Sequence, residues 1–60
     1  TPQQIRGVQA ALITAGFYGG PSDGVLAAGT LAAVARFQQA RGLPAQGYLD
    51  ADTVRALGVN

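Results

Sequence analysis

The sequence predicts an all-α fold, a small three-helix bundle, and three observations predict it. Apolar residues recur at helical spacing in two stretches, Ile5, Val8, Leu12 and Ala15, then Leu31, Val34, Ala35 and Gln38 with Phe37 beside them. A glycine stands where each periodic stretch runs out: Gly16, Gly42 and Gly58. A loop–helix segment is also used twice. Asp23-Gly-Val-Leu-Ala-Ala-Gly-Thr-Leu-Ala-Ala-Val34 aligns with Gln46-Gly-Tyr-Leu-Asp-Ala-Asp-Thr-Val-Arg-Ala-Leu57, a shift of 23 residues that keeps Gly, Leu, Ala, Thr and Ala in register. Two imperfect copies cannot stack into a solenoid, so the repeat points to a pseudo-symmetric bundle of loop–helix units.

Each element has a local reason. Thr1-Pro-Gln-Gln4 is a helix start: Thr1 caps, Pro2 suits the first helical position, and Gln4 completes a capping box. The first helix is expected over Pro2 to Ala15. Gly7 weakens its interior by about 1 kcal/mol relative to Ala, which implies close approach of a neighbouring helix. Phe17 to Gly24 is a loop, punctuated by Gly19-Gly20-Pro21 and Asp23-Gly24, and its two aromatics are not both expected in the core.

The second helix is expected from Ala28 to Arg41. Gly42 ends it, Leu43 tucks back, and Pro44 blocks continuation. Ala45 to Leu49 forms the second loop. Asp50 caps a third helix over Ala51 to Leu57, where Asp50 and Asp52 also suit the positive end of the helix. The expected core is Ile5, Val8, Leu12, Leu26, Leu31, Val34, Phe37, Leu43, Leu49, Val54 and Leu57.

Composition narrows the function. Sixty residues make one domain, residues 1–60. A chain of that size buries only about 60% of its unfolded surface. A hydrophobic share of 48% against 12% charged suits a packed chain. There is no Cys and no His, which removes thiolate chemistry, the commonest general base and the commonest metal ligand. The net charge of +1 offers no basic footprint for nucleic acid and no polybasic membrane anchor. No apolar run approaches the roughly 20 residues of a membrane-spanning helix. A chain that starts at Thr is expected to be one domain of a longer protein, so a missing signal peptide says little about location.

At this point a resemblance enters. The ordered set Gln9 and Leu12, Gly16, Tyr18, Asp23-Gly24, Thr30, Ala33-Val34, Phe37-Gln38, Gly42-Leu43, Gly47, Thr53 and Leu57 resembles the peptidoglycan-binding domains found beside catalytic domains in bacterial cell-wall hydrolases. Two positions depart from that family's pattern: Gln46-Gly47 stands for the second Asp-Gly, and Leu26-Ala27 stands for Phe-Gly. The resemblance implies a three-helix bundle without catalytic activity or cofactor. It implies peptidoglycan as partner, a linked catalytic domain, and a place in the periplasm, cell wall or extracellular space. A monomer is expected, with no nucleic-acid or membrane partner.

Candidate site residues follow from what the polymer offers, which is sugar rings, amides and carboxylates. Tyr18, Asp23, Thr30, Arg36, Gln38 and Tyr48 are the candidate binding residues. Aromatic rings pack on sugar C–H groups, Arg holds carboxylates, and Gln, Asp and Thr pair with amides and hydroxyls. Each also has a structural reading. Tyr18 serves as a lid and Tyr48 as a half-buried packing group. Asp23 bonds its own turn, and Thr30, like Thr53, pairs with loop backbone. Gln38 ties down a loop, as Gln9 would, and Arg36 and Arg41 are solvated.

The three Asp do not form an opposed pair of the kind glycoside hydrolysis needs, and Asp50-Ala-Asp52 lacks the oxygen ligands of a calcium loop. No catalytic or metal site is therefore expected. The reading is a cell-wall targeting module. The alternative is a protein-interaction module in an envelope or secretion complex. An inhibitory pro-domain acting through a zinc-ligating Cys is excluded by composition. A helix-turn-helix DNA reader is disfavoured by its long turns and a helix poor in Arg and Asn.

Overall fold

The computed structural model describes residues 1–59. Three helices appear in order: α1 (Pro2–Thr14), α2 (Ala28–Ala40) and α3 (Ala51–Leu57). No strand occurs among the described residues. Helix α1 packs against both α2 and α3. The first two helices end one residue earlier than the sequence pattern predicts, because Ala15 and Arg41 are the capping residues. The start of α1 is as predicted: the Gln4 N–H donates to Thr1 Oγ1 and the Thr1 nitrogen donates back to Gln4 Oε1, each at 3.2 Å. Asp50 Oδ1 caps α3 by accepting the Thr53 N–H at 2.8 Å.

All three helices stop by one device. The residue after the glycine donates its N–H back into the last turn: Phe17 to the Leu12 carbonyl at 2.8 Å, Leu43 to Gln38 at 2.8 Å, Val59 to Val54 at 3.2 Å. Only a left-handed residue lets the chain double back so, and Gly16, Gly42 and Gly58 have φ of 86°, 70° and 77°. The reversal aims the next side chain inward. Phe17, Leu43 and Val59 all pack against the core of Val8, Leu12, Ala33, Val34 and Phe37.

Several expectations are revised. Phe17 and Tyr18 both pack on the core, and Phe17 meets Phe37 edge to face with ring centroids 5.7 Å apart. Phe37 is fully buried, as its place in the expected core requires, and Ala33, which the periodicity did not select, is buried with it. Leu26 is 40% exposed, not core. Ile5, Leu31, Leu43, Leu49, Val54 and Leu57 are half-buried. A methyl group added to Gly7 would lie 3.2 Å from Val59 Cγ1, so the close neighbour at this point of α1 is Val59, just beyond α3.

The loops between helices have no ladder to satisfy their backbone, and two buried glutamines satisfy it instead. Gln9, on α1, accepts the Gly24 N–H at 2.9 Å through Oε1. Its Nε2 donates to Asp23 Oδ1 at 3.1 Å, the Val25 carbonyl at 3.1 Å and Thr30 Oγ1 at 3.0 Å. An amide has two protons, so one of these is shared between acceptors. Gln38, on α2, repeats the arrangement. It accepts the Gly47 N–H at 3.1 Å and donates to the Tyr48 carbonyl at 2.9 Å and Thr53 Oγ1 at 3.0 Å. Both glutamines and both threonines are buried, and among the described residues no buried side-chain polar atom lacks a partner.

Each glutamine is thus a clasp that closes a loop onto the helix before it and the helix after it. Removing Gln9 leaves the buried Gly24 N–H and the buried Thr30 hydroxyl without that partner, at about 1–3 kcal/mol for each such group. Gln9→Ala is expected to lower the melting temperature by at least about 10 °C, at 4–8 °C per kcal/mol for a chain of this size. Gln38→Ala, with one acceptor fewer, is expected to lose less. Gln9→Glu places a carboxylate among acceptors and is expected to be less stable at pH 7 than Gln9→Ala. Thermal melts followed by circular dichroism check the order, and equal melting of wild type and Gln9→Ala would remove the clasp from this account.

Candidate functional site

The six residues singled out from the sequence do not converge on one surface. Thr30 and Gln38 are 1% and 0% exposed and are spent inside the two clasps, so they have no atom to present to a ligand. The threonines pair with glutamine side chains rather than directly with loop backbone.

Tyr18 is half-buried, and its hydroxyl donates to the Pro21 carbonyl at 3.0 Å across Gly19-Gly20. A methyl on Gly20 would sit 2.6 Å from that oxygen, so the glycine makes room for the ring. Arg36 Nη2 donates to the Phe17 carbonyl at 3.0 Å, tying α2 to the start of the first loop. The Arg41 guanidinium lies over the Phe37 ring, 5.1 Å from its centroid. Tyr48 is 53% exposed, and of the two tyrosines it is the one whose ring stands mainly in solvent.

Asp23 is exposed and bonded within its turn. Its Oδ1 accepts the Val25 N–H at 3.0 Å and the Gln9 amide at 3.1 Å. Those two donors, Val25 first, hold its carboxyl below the ordinary range. Thr53, by its hydroxyl and then its backbone N–H, does the same for Asp50. Asp52 pairs with Arg55 at 3.2 Å on the exposed side of α3, where an ion pair contributes little. Every side-chain carboxylate of the chain therefore holds a turn, a cap or a surface pair. Among the described residues no group of three or more His, Cys, Asp or Glu could hold a metal ion.

A concave feature lies elsewhere. A cavity of about 290 Å³ opens between the start of α1, α3 and the two loops, lined by Thr1, Gln4, Ile5, Val8, Leu26, Leu49, Val54 and Val59. Six of these eight are aliphatic, and the two polar ones are the partners of the α1 capping box. Leu26 and Leu49 occupy equivalent places in the repeated loop–helix units. Sequence reading assigned Ile5, Leu26, Leu49 and Val54 to a filled core. Their recurrence in register is visible in the sequence, but it does not tell a filled core from a cavity.

Asp23 and Asp50 have lowered native pKa values, so the unfolded chain binds more protons in acid. Their contribution to stability is complete above the ordinary carboxylate pKa of about 3.9 and is lost as pH falls through the lowered values. Urea midpoints are expected to be level from neutrality to about pH 5 and to decline below about pH 4. The doubly substituted Asp23→Asn, Asp50→Asn chain is expected to show a flatter acid limb. An unchanged slope in that variant would refute the assignment.

Comparison with known proteins agrees with this frame. Residues 1–57 match the family model described as "Putative peptidoglycan binding domain". The chain is also 41% identical over 51 residues to the localization factor PodJL of two Caulobacter vibrioides strains, NA1000 / CB15N and ATCC 19089 / CIP 103742 / CB 15. That alignment covers 85% of this chain and 5% of either relative, so the chain spans a small fraction of those proteins. No solved structure matches. The match to the family model takes in all three helices, both loops and both glutamine clasps, and the chain belongs to the peptidoglycan-binding domain family.

Proposed function

We propose that the chain is a non-catalytic module that holds a linked protein on cell-wall peptidoglycan, in the periplasm or at the cell wall. The observation that carries this reading is the family match over residues 1–57. The geometry supports it. The carboxylates are engaged in structural bonds, whereas glycoside hydrolysis needs one as acid and another as base or nucleophile. A surface this small binds weakly by itself. Its effect comes through linkage, which keeps an attached domain at high local concentration on an insoluble polymer. Similarity to a protein named as a localization factor is in keeping with a tethering role. No helix among the described residues is long and apolar enough to cross a membrane.

One observation favours a second reading, a protein-interaction module within an envelope or secretion complex. The cavity is lined mainly by aliphatic side chains, as protein grooves for apolar anchors are. Purified, protein-free sacculi separate the two. The chain is expected to sediment with them, and Tyr48→Ala, which removes an exposed ring, is expected to weaken sedimentation severalfold without changing the melting temperature. Tyr18→Ala and Asp23→Ala test the first loop in the same assay. A wild-type chain that stays in the supernatant at all polymer concentrations would overturn the wall-binding reading and favour the protein partner.

A further inference from the structure

We infer that Asp23-Gly24 is a latent modification site, where the backbone converts to isoaspartate through a succinimide, and that the Gln9 clasp keeps it inert while the first loop is closed. The inference does not depend on the wall-binding reading.

The sequence supplies the reactive pair. Asp23-Gly24 is the one Asp-Gly in the chain, whereas Asp50 and Asp52 precede Ala and Thr, whose side chains hinder ring closure. Glycine has no Cβ to shield the peptide nitrogen from close approach. The Gly24 nitrogen gives up its proton and attacks Asp23 Cγ. A C–N bond forms and one carboxyl oxygen leaves as water. The five-membered imide then takes up water. Addition at Cγ restores aspartate. Addition at the Asp23 backbone carbonyl carbon breaks its bond to the Gly24 nitrogen and leaves isoaspartate. No atom is oxidised or reduced, and the net change is an isomerisation.

The closed loop opposes each step. Gly24 is buried and its N–H donates to Gln9 Oε1 at 2.9 Å, so hydroxide does not reach that proton. The amide oxygen that holds the proton is too weak a base to remove it. Asp23 Oδ1 accepts the Val25 N–H at 3.0 Å and the Gln9 amide at 3.1 Å, so any rotation of the carboxyl breaks two bonds. The same donors favour the ionised carboxylate, which is the poorer electrophile. A Cβ on Gly24 would lie 2.9 Å from the Pro2 carbonyl oxygen, so this loop backbone also rests against the start of α1. Gln9 restrains both reacting groups, the nitrogen through Oε1 and the carboxyl through Nε2.

Reaction would leave a lasting mark. Isoaspartate routes the main chain through Asp23 Cβ and Cγ, which lengthens it by one atom, and leaves the α-carboxylate pendant. Gly24 and Val25 then lie out of register with Gln9, so a first loop that has reacted does not close its clasp again. The second loop carries Gln46-Gly47 at the equivalent place, where closure needs a slower six-membered ring. Loop opening is thus recorded chemically at one loop and not at the other.

The test is an ageing experiment near neutral pH. Isoaspartate is counted with an isoaspartyl methyltransferase and placed in the chain by tandem mass spectrometry. Native wild type is expected to accumulate it at Asp23 at least about tenfold more slowly than the chain in denaturing urea, because reaction waits for the loop to open. Gln9→Ala is expected to lose most of that protection. Gln38→Ala, brought by mild urea to the same unfolded fraction, keeps the first clasp and is expected to react more slowly than Gln9→Ala. Asp23→Glu is expected to give no signal. In wild type, below the unfolding transition, isoaspartate formation and hydrogen exchange of the Gly24 amide are expected to rise together with urea, a comparison that needs no variant to fold.

Native wild type reacting as fast as the unfolded chain would overturn the inference. So would equal rates in the two matched variants, or an isoaspartate rate that stays flat while Gly24 exchange climbs. A signal that persists in Asp23→Glu would move the site to Asp50 or Asp52 and overturn the assignment.

Discussion

A glutamine amide buried between a helix and a loop is the interaction on which this structure depends. The chain is too short to wrap its loops in further secondary structure, yet it must reverse direction twice around a small core. Loop backbone near a core carries donors and acceptors that cost free energy unless they are paired. A glutamine solves this locally because one side chain carries both a donor group and an acceptor. Gln9 accepts from Gly24 and donates to the carbonyl of Val25, and Gln38 does the same for Gly47 and Tyr48. The threonine one turn into the following helix supplies the remaining acceptor. Helix, loop and next helix are thereby locked in one short network.

The apolar core and the polar clasps divide the work. Val8, Leu12, Ala33, Val34 and Phe37 supply burial, which has no preferred direction. The clasps supply direction, because amide bonds fix where each loop sits. The glycine-terminated helix ends add a third constraint by turning Phe17, Leu43 and Val59 back onto the core. Beside them a cavity remains, lined by the repeated leucines Leu26 and Leu49 and by the start of α1. The loops that bound the cavity are therefore the same loops the glutamines hold. Stability and the shape of the candidate site have a common origin.

Much of this was legible in the sequence, because the signals were local. Thr1, Pro2 and Gln4 mark the start of α1, Asp50 marks α3, and the glycines mark the ends within one residue. Gln38 on an apolar face and the recurring Thr30 and Thr53 pointed to tied loops. What the sequence did not show is that the glutamine and the threonine bond each other. The two clasps are offset differently from the repeat, since Gln9 precedes Gly24 by 15 residues and Gln38 precedes Gly47 by 9. The longer first connection, with its aromatic and Gly-Gly-Pro run, hides the equivalence. The cavity was illegible for another reason. Periodicity shows which side chains face inward, whereas a void depends on whether opposing side chains are long enough to meet.

The departure at Gln46 has a physical reading once the clasps are compared. In the first unit Asp23 serves two donors, the Gln9 amide and the Val25 N–H. That gives Gln9 Nε2 three acceptors for two protons. In the second unit Gln46 replaces the aspartate, and Gln38 Nε2 has two acceptors for two protons. The second clasp is stoichiometrically complete without a carboxylate, so the substitution does not open the loop. The same comparison bears on the cavity. Apart from Thr1 and Gln4 its lining is aliphatic. Gln46 also lies outside the cavity lining, so the departure from the family pattern leaves the six aliphatic residues there in place.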